Sequence, residues 1–252
     1  MEKNILTDID MNMNMLNPSI LIDGCEKMGI TLTSRQIQQF ILFYRRMYEK
    51  NQVMNLTTVT KWEEVQTRHF LDSLLLSRIT DLSSDIRILD LGTGAGFPGI
   101  PLKIAFPALN LCLADSLNKR ILFLEEVIRE LELTGIRTVH GRAEDLGRDR
   151  QYRESFDLVV SRAVANLSSL SEYCLPLVKM QGQMIAYKST EIDQEIQKAH
   201  RAVRILGGEK MTVRTLPLPE TDLERSFVIV QKKNPTPARY PRKAGTPARN
   251  PL

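Results

Sequence analysis

From Ile86 onward the chain alternates short apolar runs with longer amphipathic stretches, and this rhythm limits the fold more than any other feature. Runs at Ile86–Leu91, Leu109–Ala114, Ile136–His140, Phe156–Ser161 and Gln183–Lys188 read as strands, with helical periodicity at Lys119–Leu133 and Glu191–Leu206 between or after them. Strand and helix in succession give a parallel sheet with crossover helices. The stretch from 191 to 206 is expected to bury Ile192, Ile196, Ala199 and Val203 and to stop at Gly207-Gly208. Two runs then follow without a helix between them, Met211–Leu216 and Ser226–Gln231, so an antiparallel hairpin should close one edge. The expected fold is α/β and Rossmann-like, a seven-stranded, mostly parallel sheet with an antiparallel last strand. That ending differs from a dinucleotide fold built of two similar halves.

Upstream lies a helical extension, expected over residues 18–82, with the sheet domain at 83–233. Thr33 and Gln36 stand in capping-box spacing, and Ile37, Phe40, Ile41, Tyr44, Met47 and Tyr48 then stripe one face. Thr60 and Glu63 predict a second box, followed by Trp62, Val65, His69, Asp72 and Leu76 along one side of a helix reaching about Ile79. Residues 1–17 lack periodicity and are expected to be flexible.

The chain of 252 residues carries 34 Lys+Arg against 30 Asp+Glu. Six of those cations, Lys232, Lys233, Arg239, Arg242, Lys243 and Arg249, fall in residues 231–252, which contain no acid; the remainder has 28 basic and 30 acidic side chains. The excess is therefore local. With five prolines in the same stretch, residues 234–252 are expected to be an irregular basic tail, suited to RNA phosphates or merely to solubility. No long uncharged stretch suggests a membrane span, and the acidic start MEKNILTDID is unlike a signal peptide, so a cytoplasmic protein is expected. Cys25, Cys112 and Cys174 show neither disulfide nor metal-ligand spacing, and no metal site is expected.

The chemistry points to Ile88 through Gly99, where a hydrophobic strand runs into a turn with glycines at 92, 94 and 96. Such a turn lets a ligand lie against the main chain. Asp90 places a carboxylate beside it, which suits a cationic amino group and would repel a pyrophosphate. Gly94-x-Gly96-x-x-Gly99 also matches a dinucleotide fingerprint, so an NAD-dependent oxidoreductase is the rival reading. Asp115 ends the next strand, where an acid accepts ribose hydroxyls in either class. Ala143 and Glu144 follow the third strand and can edge an adenine; alternatively, Glu144 and Asp145 are acids that complement a helix dipole.

Taken together, DLGTGAGFPGIPL, LADSLNKRILFL, GRAEDL, SRAVANL, AYK, NLT and RHFLDSL resemble the RsmG (GidB) family of small-subunit ribosomal RNA guanine-N7 methyltransferases, from about Asn51 to Leu252. The resemblance implies a class I S-adenosylmethionine (SAM)-dependent methyltransferase fold, SAM as cofactor, and 16S ribosomal RNA or the small subunit as partner, with a monomer expected. By position it implies SAM contacts at Gly92, Phe97, Ala143, Glu144 and Arg162, and general methyltransferase contacts at Asp90, Gly94 and Asp115. A non-enzymatic rival is a SAM-sensing RNA-binding protein.

Guanine N7 carries an exposed lone pair, so its methylation needs positioning and no general base. The sequence agrees, because Ser161-Arg162-Ala163-Val164 follows the fourth strand where amine methylators carry Asn/Asp-Pro-Pro-aromatic, and neither Cys112 nor Cys174 is placed as a nucleophile. Lys188 at a strand end is either a guanine or RNA contact or a solvated lysine. Asn55, Arg68 and His69 form the remaining constellation, with His69 and Asp72 one helical turn apart and able to hydrogen-bond. They are either a substrate-side wall, with Arg68 facing RNA phosphate, or structural.

Overall fold

A computed structural model describes residues 16–82 and 86–252. Its centre is one sheet of seven strands: β1 (Arg87–Leu91), β2 (Asn110–Asp115), β3 (Ile136–His140), β4 (Phe156–Arg162), β5 (Val178–Lys188), β6 (Gly208–Pro217) and β7 (Glu224–Lys232). They lie in the order β3-β2-β1-β4-β5-β7-β6. The first five run parallel and β7 is antiparallel to both neighbours, as the hairpin pattern predicts. β5 begins five residues earlier than its apolar run, because Val178 pairs with Phe156 before a register shift near Gln181, which has a positive φ. That irregular start carries exposed Lys179, Met180 and Gln181, so no apolar run marks it.

Alternating side chains along each strand feed two separate cores. Ile88, Leu111, Leu113, Leu158, Val160, Ile185, Tyr187 and Phe227 face one side, where they meet α1 (Ser19–Lys27), α2 (Ser34–Met54), α3 (residues 62–78), α4 (Gly99–Ala105) and α5 (Asn118–Glu130). Leu89, Leu91, Cys112, Ala114, Val159, Met184, Ala186, Val228 and Val230 face the other, against α6 (Ala143–Leu146), α7 (Leu167–Cys174) and α8 (Asp193–Ile205). The N-terminal helices thus share a hydrophobic core with the sheet. Phe43 and Phe70 bring their ring centroids to 5.3 and 6.2 Å from that of Phe97, in the glycine-rich turn.

The Thr33–Gln36 capping box forms as expected: each side chain binds the other residue's backbone N–H. The second box does not. Lys61 caps α3 without a side-chain bond, while the Thr60 carbonyl accepts from the Tyr44 hydroxyl. α3 itself is not one α-helix, since Gln66–Leu71 winds as a π-helix, Asp72–Leu74 returns to α and Leu75–Arg78 tightens to 3-10. α8 ends at Gly207, whose positive φ turns the chain into β6.

The C-terminal end departs from the expected irregular tail. Residues 1–15 and 83–85, which include most of the predicted flexible start and the predicted domain boundary, lie outside the described residues. Asn17, however, is tied down: its carbonyl accepts from the Trp62 indole (2.7 Å) and the Gln66 amide (3.2 Å). The C-terminal stretch packs on the body. Tyr240 and Pro247 are buried, Lys232 is enclosed with Glu154 and Thr236, and a short α9 (Thr246–Arg249) forms despite the prolines, Pro247 falling in its first turn where it is tolerated.

Candidate functional site

The carboxyl ends of β1, β2, β3 and β4 surround a cavity of about 520 Å3, within the range of small-molecule sites. Its lining includes Gly92, Asp115, Ala143 and Glu144, four of the eight expected cofactor contacts. Asp90, Gly94, Phe97 and Arg162 belong to the structure behind or beside it.

The turn after β1 shows why its residues are needed. Gly92 has φ +73°, and a Cβ there would stand 2.5 Å from the Val164 side chain, which also lines the cavity. Asp90 is fully buried; its Oδ2 accepts from the Thr93 hydroxyl (2.7 Å) and from the Gly99 N–H (2.9 Å). The acid therefore shapes the turn rather than standing open in the cavity. A Cβ at Gly99 would meet Leu113 at 2.2 Å and Asp90 at 2.9 Å, so helix α4 begins pressed onto a carboxylate. This removes the place where a dinucleotide fingerprint holds phosphate. Asp90 Oδ1 has no hydrogen-bond partner among the described residues, and burial, opposed by the bonds from Thr93 and Gly99, pushes the acid up to about 6.

Asp115 is woven into the same frame. Its Oδ1 accepts from Leu117 N–H (2.9 Å), and its Oδ2 accepts from Gly94 N–H (3.0 Å) and Arg120 (3.2 Å). A carboxylate has about four acceptor sites, so capacity for a ribose hydroxyl remains. Glu144 begins α6 and is almost fully buried; its Oε1 accepts from the backbone N–H of Gly245 (2.8 Å). Sequence reasoning missed that partner, along with the lining residues Arg120, Tyr173, Gly245 and Ala248.

Beside the cavity, Arg162 at the end of β4 joins the sheet to α3. Its Nη1 donates to Asp72 (2.8 Å) and to the Arg68 carbonyl (3.2 Å), and its guanidinium lies 5.0 Å from the Phe97 ring centroid. Buried Asp72 also accepts from Arg225 of β7 (2.5 Å). The His69 ring stacks on Phe97 with centroids 4.5 Å apart, Nε2 2.8 Å from the Thr57 hydroxyl and Nδ1 3.3 Å from Arg162. His69 and Asp72 thus meet through Arg162 and not in the direct bond that their spacing allows, in a segment wound as a π-helix. Burial, then the Arg162 charge, lowers His69 to about 3, so it is neutral. Asn55 is an exposed left-handed cap of α2, and Arg68 projects half-exposed beside Glu64.

Lys188 is not a freely solvated strand-end lysine. Its ammonium donates to the Ala165 carbonyl (2.8 Å) and to Glu195 (2.6 Å), fixing the segment after β4 that lines the cavity. The three cysteines are buried, and burial raises their thiols, Cys25 to about 12 and Cys112 to about 11.

A parallel sheet with an antiparallel β7, a glycine turn over a buried acid and carboxylates at successive strand ends define a class I SAM-dependent methyltransferase. A family model described as rRNA small subunit methyltransferase G (GidB) matches residues 36–224. A protein named "Ribosomal RNA small subunit methyltransferase G" from Lachnoclostridium phytofermentans is 49% identical, over 94% of this chain and 98% of its own. One of the same name from Alkaliphilus metalliredigens is 45% identical, over 94% and 100%. The chain belongs to the GidB family. Among solved structures, MtNAS in complex with MTA and tNA shares the fold with a TM-score of 0.52 at 15% identity, over 78% of this chain and 73% of that one.

Proposed function

We propose that the protein methylates N7 of a guanine in small-subunit ribosomal RNA, with SAM bound in the cavity at the strand ends. The family match over residues 36–224 supports the substrate class. The cavity supports the donor, and the observation that carries it is the ring of Gly92, Asp115, Ala143 and Glu144 that the strand ends bring around it. Asp115 would hold the ribose, Ala143 and Glu144 the adenine, and Gly92 and Gly94 would let the donor approach the main chain.

When bound, SAM supplies an electrophilic methyl group on a sulfonium. The protein's own share is orientation and exclusion of water. His69 is held neutral, and the cysteine thiols are held protonated by burial. Asp90, raised to about 6 by burial, is locked into the turn. These groups suit an acceptor that already presents a lone pair, as guanine N7 does. Asp72 sets the Arg162 guanidinium over Phe97, and this assembly forms the edge on which donor carboxylate and acceptor base would be aligned. Arg68, half-exposed on α3, would meet RNA phosphate.

Mass-spectrometric mapping of 7-methylguanine in small-subunit RNA tests the reading. One methylated guanine should disappear when the gene is deleted and return when radiolabelled SAM, the purified protein and subunits from the deleted strain are combined. Unchanged methylation in the deletion strain would overturn it.

A further inference from the structure

The last residues of the chain do not behave as a solvated arm, and their contacts converge on the cavity. Arg242 donates to Glu172 on α7 from its backbone N–H (2.8 Å), from Nε to both oxygens (2.9 and 3.1 Å) and from Nη2 (2.6 Å), and the Glu172 side chain is wholly buried. The Ser169 hydroxyl holds the Pro247 carbonyl (2.8 Å), and Arg148 holds that of Pro241 (2.6 and 2.9 Å). Arg153 donates to the carbonyls of Thr236 and Tyr240 (2.6 and 2.8 Å). Anchors thus stand on both sides of Gly245. At Gly245 the backbone turns with φ +78°, aims its N–H at Glu144 and, with Ala248, completes the cavity lining beside Tyr173.

We propose that residues 240–252 are the outer wall of the donor pocket at its adenosyl end, with Gly245 positioning Glu144 and Ala248 bounding the nucleoside. This rests on the donor-pocket reading above and goes beyond it, since the wall lies outside residues 36–224, where the family model matches. A charge-assisted bond from the main chain fixes the rotamer of an acid at the start of a short helix, and four anchors make that bond independent of ligand. The basic side chains follow the same logic. Lys232 and Arg242 are spent on Glu154 and Glu172, which leaves fewer cations for RNA than the sequence counts.

Calorimetric titration of SAM and of methylthioadenosine decides the matter, using the full chain, a chain ending at Lys243, and Ala248→Trp in the full chain. Loss of a charge-assisted bond or obstruction of the mouth should raise Kd about tenfold or more. Both ligands should weaken by similar factors, because they share the adenosyl group, while affinity for a small-subunit RNA fragment stays within about twofold. Ala248 is exposed, so Ala248→Trp should melt with the wild type and decides the question even if the shortened chain does not fold. SAM binding unchanged in Ala248→Trp, or in a folded shortened chain, would overturn the wall. A full chain that does not bind SAM would instead overturn the donor-pocket reading itself.

Discussion

Residues 19–78 cover one face of the sheet with aromatic rings, whereas residues 236–252 lie on the other through guanidinium groups bound to carbonyls and to one buried carboxylate. Phe40, Phe43 and Phe70 are fully buried on the first face, and Phe70 packs against Phe40 with ring centroids 4.9 Å apart. On the second, Arg148, Arg153 and Arg242 make most of the attachments. Apolar burial tolerates small shifts because it has no direction; hydrogen-bonded attachment places backbone atoms at set distances. The first suits a supporting layer. The second suits a segment that must present a particular N–H to a particular acid.

The largest expected effects test whether the two attachments are of comparable strength. Phe70→Ala empties an aromatic core and should cost about 3–5 kcal/mol in chemical denaturation. Arg242→Met leaves Glu172 buried without a guanidinium, only the backbone N–H remaining, and should cost about 3 kcal/mol; a loss below about 1 kcal/mol would make the C-terminal segment a loose appendage after all. Asp72→Asn, which weakens two arginine contacts on the first face, should cost about 2 kcal/mol and also raise the KM for SAM several-fold through Arg162. Methyl-transfer kinetics at saturating RNA would separate that second effect from simple destabilisation.

The smallest effects sit in the pH dependence, where the two faces should respond at opposite ends. His69 falls to about 3 from 6.5, so the unfolded chain takes the proton first. Its stabilisation is complete above about pH 6.5 and drains away toward pH 3. Asp90, raised to about 6 from 3.8, acts in the reverse sense: the native state protonates first and gains stability as pH drops through that window. Melting temperatures from pH 7 to 4 should therefore decline less in His69→Gln than in the wild type, and an equal decline would dismiss the His69 assignment. On the C-terminal side, burial lowers Lys232 from 10.5 to about 8 despite Glu154, so its stabilisation is present above pH 10.5 and lost as pH falls through 8. Lys232→Met should flatten that alkaline rise.

The sheet and the glycine turn were legible because strand alternation and the DLGTGAG run depend on neighbours within a few residues. The same holds for the Thr33 box and the Gly207 stop. What escaped depended on distant partners. Nothing around Arg242 announces Glu172, seventy positions earlier, and a proline-rich basic stretch carries the composition of a free tail whether or not carbonyl acceptors await it. Lys188 read as a strand-end cation because Glu195, its partner, lies on the next helix. At Thr60, the Tyr44 hydroxyl occupies the carbonyl and the helix begins one residue late, a competition that local spacing does not reveal. The direct bond that spacing allowed between His69 and Asp72 is absent where the helix winds as π, since helical spacing assumes an α-turn.

That wide turn at Gln66–Leu71 has a consequence for how this protein tolerates insertion and deletion. A π-turn holds one residue more than an α-turn, and each residue of an α-helix swings the next side chain by roughly 100°. Excising one residue from it would leave the apolar stripe of α3 largely in place but rotate His69 out of its stack on Phe97 relative to the Asp72 grip on Arg162. Length, more than residue identity, keeps the two halves of the molecule in phase.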